Sequence, residues 1–113
     1  MDGRRRFEGR VCLVTGGGRG IGRAIALGLA AEGGLVGVVA RTRAQVDEVA
    51  AEIGEGAAAI AADVADEAAC ERAVRELEGR FGRLSVLVNA AGISPVRQRA
   101  ELHGQATVAR DRA

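Results

Sequence analysis

"RVCLVTGGGRGIGRAIALGLAAEG" (residues 10–33) joins one apolar run to another through the eight residues "TGGGRGIG" (15–22), five of them glycine. Residues 10–15 lack polar alternation, the pattern of a strand buried on both faces, and the segment after Gly20 has helix length and an amphipathic distribution. A strand that feeds a glycine-rich turn and then a helix builds an anion site. Backbone N–H groups converge there, and the helix N-terminus carries roughly +0.5 charge. Phosphate is the natural guest. In such a loop Gly16 permits the tight turn, Gly20 lets the backbone approach a pyrophosphate, and Gly22 lets the helix pack close to the sheet. The spacing is T-G-x-x-x-G-x-G rather than G-x-G-x-x-G. A P-loop is excluded, because it needs a Gly-Lys-Ser/Thr and the chain has no lysine.

Three further apolar runs follow, "LVGVVA" (35–40), "AAAIAAD" (57–63) and "SVLVNAA" (85–91). Between the four runs lie the helix-length segments 21–33, 42–54 and 66–82. In the third, Ala69, Ala73, Leu77 and Phe81 recur four apart and form one apolar stripe, while Arg72, Arg75, Glu76 and Arg80 fall elsewhere. Strict alternation through seven elements predicts an α/β fold, half of a doubly wound parallel sheet with right-handed crossovers (β-α-β-α-β-α-β). After Pro95 the apolar positions 96, 100, 102, 106, 108 and 109 fit neither a period of two nor a helical stripe. Residues 1–95 are therefore expected to form the folded unit and 96–113 an irregular tail.

Composition narrows the function classes. The 113 residues carry sixteen basic and fifteen acidic side chains, a net charge of +1, which disfavours a dedicated nucleic-acid surface. No apolar stretch approaches the roughly 20 residues of a membrane span, and "MDGRRRFEGR" does not lead into a secretory core, so a cytoplasmic protein is expected. Cys12 and Cys70 lie in strand and helix patterns without CxxC spacing, and His103 is the single imidazole, so neither a metal site nor a disulfide framework is expected. All sixteen basic residues are arginine, and there is no tyrosine or tryptophan.

With "NAAG" (89–92) at the end of the fourth run and "DV" (63–64) at the end of the third, the loop resembles the short-chain dehydrogenase/reductase family, especially members similar to 3-oxoacyl-carrier-protein reductases. The resemblance runs from about Arg5 to about Glu101 and implies a Rossmann-type sheet that stops after about the fourth strand. It implies a dinucleotide cofactor bound by Gly16, Gly17, Gly18, Arg19, Gly20, Ile21, Gly22, Arg41, Asp63, Val64, Asn89, Ala90 and Gly92. Asp63 would meet the adenine; its alternative is a helix N-cap, a role that Asp66 fills better. Asn89 would brace adjacent strands and touch the cofactor ribose, or simply bond to neighbouring backbone. Ser94 reads as a loop residue.

An NAD site usually places an acidic residue at the end of the second strand, about 20 residues past the loop. Here Ala40 and Arg41 stand there. No carboxylate opposes a 2′-phosphate, and Arg41 and Arg19 offer guanidinium groups suited to one, so NADP(H) is favoured over NAD(H). The alternative is that both arginines face solvent and are indifferent to it.

The resemblance also implies hydride transfer between NADP(H) and a carbonyl or alcohol through a Tyr-x-x-x-Lys pair. Neither residue type occurs, so no catalytic residue is assigned and turnover by this chain is not expected. The family's oligomer-interface elements have no counterpart here, and the fourth strand would be an uncovered edge open to self-association. Loss of apolar pattern after Glu101 is what a frameshift or misplaced stop in a GC-rich gene would produce, which resequencing would decide. The readings at this point are a cofactor-binding portion of a reductase, a stand-alone dinucleotide-binding or partner-docking module, and a non-functional gene fragment.

Overall fold

The computed structural model describes residues 5–90 and the backbone of 106–110. The elements in chain order are β1 (Val11–Thr15), α1 (Gly20–Ala31), β2 (Leu35–Ala40), α2 (Arg43–Ile53), β3 (Ala57–Ala61), α3 (Glu67–Phe81), β4 (Leu84–Asn89) and β5 (Ala106–Arg110). All strand pairs are parallel and the sheet order is β3-β2-β1-β4-β5. The alternating strands and helices form a Rossmann-like α/β fold, as the patterning predicts.

The apolar runs lack alternation because both faces of the sheet are covered. On one face Cys12, Val14, Val36, Val38, Val86 and Val88 pack with Ala26 and Leu29 of α1 and Val46 and Val49 of α2. On the other, Val11, Leu13, Val39, Ile60, Leu84 and Leu87 pack with Cys70, Ala73 and Leu77 of α3. Leu77 settles onto β2 at Gly37, where a Cβ would lie 2.7 Å from its Cδ1. The predicted stripe on α3 is thus the buried one, with Phe81 packed at its edge.

Local chemistry sets the ends of α3. Asp66 is its N-cap and accepts from the N–H groups of Ala68 (3.0 Å) and Ala69 (3.4 Å). Glu67 in the first turn and Arg80 in the last both complement the helix dipole. The helix stops at Gly82, whose φ of +111° few other residues adopt. At the outer edge of the sheet the Arg43 guanidinium donates to the Ala59 carbonyl of β3 (3.4 Å) and to Asp47 (3.2 Å).

One element departs from the patterning. Residues 106–110, expected to belong to an irregular tail, form β5 and pair with β4, so β4 is an internal strand rather than an uncovered edge. A five-residue run with only Thr107 and Val108 branched at Cβ carries little periodic signal, and pairing with a neighbour decides such a segment. The rest of the predicted tail, 96–105 and 111–113, lies outside the described residues. Among the described residues no helix is long and apolar enough to cross a membrane.

Burial pushes the Cys12 thiol up to about 11 from 9.0, against the opposing pull of Arg10. The chain has no tyrosine or lysine, the residues that ordinarily titrate near that window. Below pH 9.0 both folded and unfolded chains keep the Cys12 proton; between 9.0 and about 11 the unfolded chain releases it first, so stability falls as pH rises. The urea midpoint should therefore drop across that range, and Cys12→Ala should flatten the decline.

Candidate functional site

The site grows from the C-terminal end of β1. The chain turns at Gly16, whose φ of +72° suits glycine. The N–H groups of Gly16 and Gly17 then both donate to the Val39 carbonyl, at 2.8 and 3.3 Å, which ties the loop to β2. A Cβ on Gly22 would stand 2.0 Å from the Gly16 carbonyl oxygen, so the first turn of α1 rests directly on the start of the loop. A Cβ on Gly17 would lie 3.0 Å from Val38 Cγ1, so the loop also lies close on β2. Around Gly20 there is open space, with nothing within 4 Å of the corresponding Cβ position.

The N-terminus of α1 is shaped differently from that of α3. Its N-cap is Arg19, which makes no side-chain cap hydrogen bond, and its first turn holds no acidic residue. The leading N–H groups of a helix lack intrahelical partners and remain available to an anion.

Beside the loop lies a cleft of about 280 Å³, lined by Gly16, Gly18 and Arg19, by Ala40, Arg41 and Thr42 after β2, and by Gln45 of α2. Arg19 and Arg41, singled out from the sequence, are thus brought to one cavity, and no carboxylate lines it. Arg6, Arg23 and Arg43 pair with Glu32, Glu52 and Asp47. Among the described residues Arg19 and Arg41 have no such acidic partner.

A second feature lies between β1 and β4. Thr15 and Asn89 are neighbours in register and buried, and the Thr15 hydroxyl donates to Asn89 Oδ1 at 2.9 Å. The Ala90 N–H donates to the Thr15 carbonyl at 3.1 Å. Asn89 therefore braces adjacent strands, one half of its expected role. Its Nδ2 is buried with no hydrogen-bond partner among the described residues. Such a donor costs about 1–3 kcal/mol unless an acceptor reaches it.

The other candidates are dispersed. Asp63 is exposed and its Oδ1 accepts from the Ala65 N–H (2.9 Å) in a local turn, leaving the N-cap to Asp66. Val64 packs against the core on the α3 side of the sheet. Ile21 is 57% exposed, a large apolar side chain on the first turn of α1. Gly92 lies outside the described residues, as does Ser94. Thr15, Thr42 and Gln45 were not singled out by sequence reasoning. Thr15 had a signal, as the polar residue where an apolar strand meets the loop; Gln45 was hidden within a regular helical pattern.

A model of the short chain dehydrogenase family matches residues 10–110. The chain belongs to that family. Sorbitol dehydrogenase of Cereibacter sphaeroides is 43% identical over 88 residues, 78% of this chain and 34% of that protein. The crystal structure of 3-ketoacyl-(acyl-carrier-protein) reductase from Brucella melitensis complexed with NADH has a TM-score of 0.74 and 44% identity, covering 76% of this chain and 35% of that one. A citronellol catabolism dehydrogenase of Pseudomonas aeruginosa PAO1 matches with TM-score 0.82 and 28% identity over 94% of this chain and 57% of that one. This short-chain dehydrogenase chain spans about a third of the length of the curated relatives it matches.

Two glycines of α1 should respond oppositely to alanine. Gly22→Ala drives a Cβ into the Gly16 carbonyl and should cost about 1–3 kcal/mol, whereas Gly28→Ala, with nothing within 4 Å, should gain about 0.5–1 kcal/mol. Urea denaturation of the two variants beside the parent chain measures both.

Proposed function

We propose that this chain binds a nicotinamide dinucleotide across the C-terminal ends of β1, β2 and β4, with NADP(H) preferred over NAD(H). It would form the cofactor-holding part of a hydride-transfer site for a carbonyl or alcohol substrate. The observation that carries the preference is the pair Arg19 and Arg41 on one cleft without a carboxylate. Guanidinium groups suit a phosphate monoester, and an acidic residue after β2 would repel one.

The residues present fit the group. The loop turns at Gly16 with a positive φ, Gly22 has no room for a side chain, and the uncapped start of α1 suits a pyrophosphate. Arg19 and Arg41 would hold the adenosine 2′-phosphate, and Asp63 and Val64 the adenine side. Ile21, Asn89, Ala90 and Gly92 would hold the nicotinamide side, and the Asn89 amide hydrogen, lacking an acceptor among the described residues, suits a ribose hydroxyl. When bound, the dinucleotide supplies or accepts the hydride. Proton transfer to the substrate oxygen needs an acid, and the Tyr-x-x-x-Lys pair that serves in this family has no counterpart in a chain without either residue type. That absence favours binding without turnover for these 113 residues on their own.

Titration of the full chain with each reduced cofactor, followed by nicotinamide fluorescence, should give tighter binding of NADPH than of NADH. Arg41→Ala should weaken NADPH by about two- to fivefold, as expected for an exposed charged contact of up to about 1 kcal/mol, and leave NADH unchanged. Equal or tighter NADH binding by the parent chain would reject the preference. With saturating NADPH and a panel of ketones and aldehydes, the full chain should show no absorbance loss at 340 nm above the protein-free rate; turnover would show that an acid other than Tyr serves.

A further inference from the structure

The cleft contains two polar side chains that the phosphate argument does not use, Thr42 and Gln45, and Gln45 is the one set against the glycine loop. Gln45 lies in the first turn of α2, half-buried, one helical turn beyond Arg41, and it lines the same cavity as Arg19. Its side chain is held against the glycine loop: a Cβ on Gly18 would lie 3.0 Å from both Gln45 Cβ and Gln45 Oε1. The amide makes no hydrogen bond among the described residues, although its backbone N–H is used by the Thr42 carbonyl (3.0 Å). The Thr42 side chain likewise makes no cap hydrogen bond to α2. The cavity wall therefore holds two guanidinium groups, a hydroxyl and a neutral amide, and Gly18 is bare where the amide needs space.

We infer that Gln45 is a specificity-determining residue whose amide reads the 2′-substituent of the bound dinucleotide, with the absent Gly18 side chain keeping it in place. The inference rests on the reading that this cleft takes the adenosine end of the cofactor. An amide can donate to a phosphate oxygen or to a ribose hydroxyl, and it adds no charge to the field of Arg19 and Arg41. A carboxylate of the same shape would cancel part of that field and could only accept, which suits a 2′-hydroxyl and opposes a 2′-phosphate. One atom at position 45 thus tilts the cleft between the two cofactors.

Affinities of the full chain for NADPH and NADH, and for the fragments 2′,5′-ADP and 5′-AMP, are compared for the parent, Gln45→Glu, Gln45→Met and Gly18→Ala. Gln45→Glu should weaken NADPH and 2′,5′-ADP by about tenfold, the effect of some 1.4 kcal/mol, and leave NADH and 5′-AMP unchanged or tighter. Gln45→Met, which keeps length and neutrality but loses the donor, should weaken the phosphorylated ligands by about threefold. Gly18→Ala, which displaces the amide, should lower the ratio of NADPH to NADH affinity as Gln45→Met does. A ratio of NADPH to NADH affinity that shifts by less than about twofold in Gln45→Glu, with both cofactors still bound, would overturn the role of Gln45 and leave the cofactor site intact. Failure of the parent to bind either dinucleotide would overturn both. A urea unfolding midpoint close to that of the parent certifies that each variant is folded.

Discussion

The first turn of α1 sits on the Gly16 carbonyl, with no room for even one carbon at Gly22. That contact fixes the angle at which the helix leaves the loop, and much else depends on the angle. It directs the N-terminus of α1 over the end of β1 and leaves Arg19 at the rim of the cleft. It also sets α1 against the sheet so that Ala26 and Leu29 meet Val14 and Val36. Two hydrogen bonds from the loop to Val39 hold the other side, so the loop is pinned by β2 before any ligand arrives. A loop held in this way would need little reordering to receive the proposed pyrophosphate, and reordering is where flexible loops lose affinity.

Next to that loop, at the ends of β1 and β4, Thr15 and Asn89 show how a core can carry a polar position. Their hydrogen bond lies between strands buried on both faces, where an unmade one would cost more than the made one contributes. Thr15 satisfies one end of Asn89 and leaves the amide hydrogens to other partners. The same pair locks the register of β1 against β4 at the sheet end where the loop begins.

Residues whose roles repeat along the chain were legible in the sequence. Ala69, Ala73 and Leu77 announced the buried stripe of α3 by spacing alone, and Asp66 announced its start by cap chemistry. The unbroken apolar runs announced a sheet covered on both faces. Three things were less legible, for different reasons. Residues 106–110 become a strand through pairing with a partner distant in sequence. Gly22 was read as easing the packing of helix on sheet, and its contact with the carbonyl six residues earlier depends on the loop's three-dimensional path. Gln45 looked like any polar residue on a helix, because its meeting with Gly18 joins two crossovers that no local pattern connects.

The turn between β2 and α2 spans two territories. Arg41, Thr42 and Gln45 border the cleft, while Arg43 reaches the opposite way and occupies the Ala59 carbonyl on the outermost strand. An open strand edge is a template for another chain, and a charged side chain laid across it is a common safeguard. Five consecutive residues therefore combine the border of the cleft with the cover of the sheet edge. Exchange of this segment between relatives, an obvious way to graft a different cofactor preference, would also exchange the guard on the sheet edge; the two properties are inherited together unless Arg43 is retained.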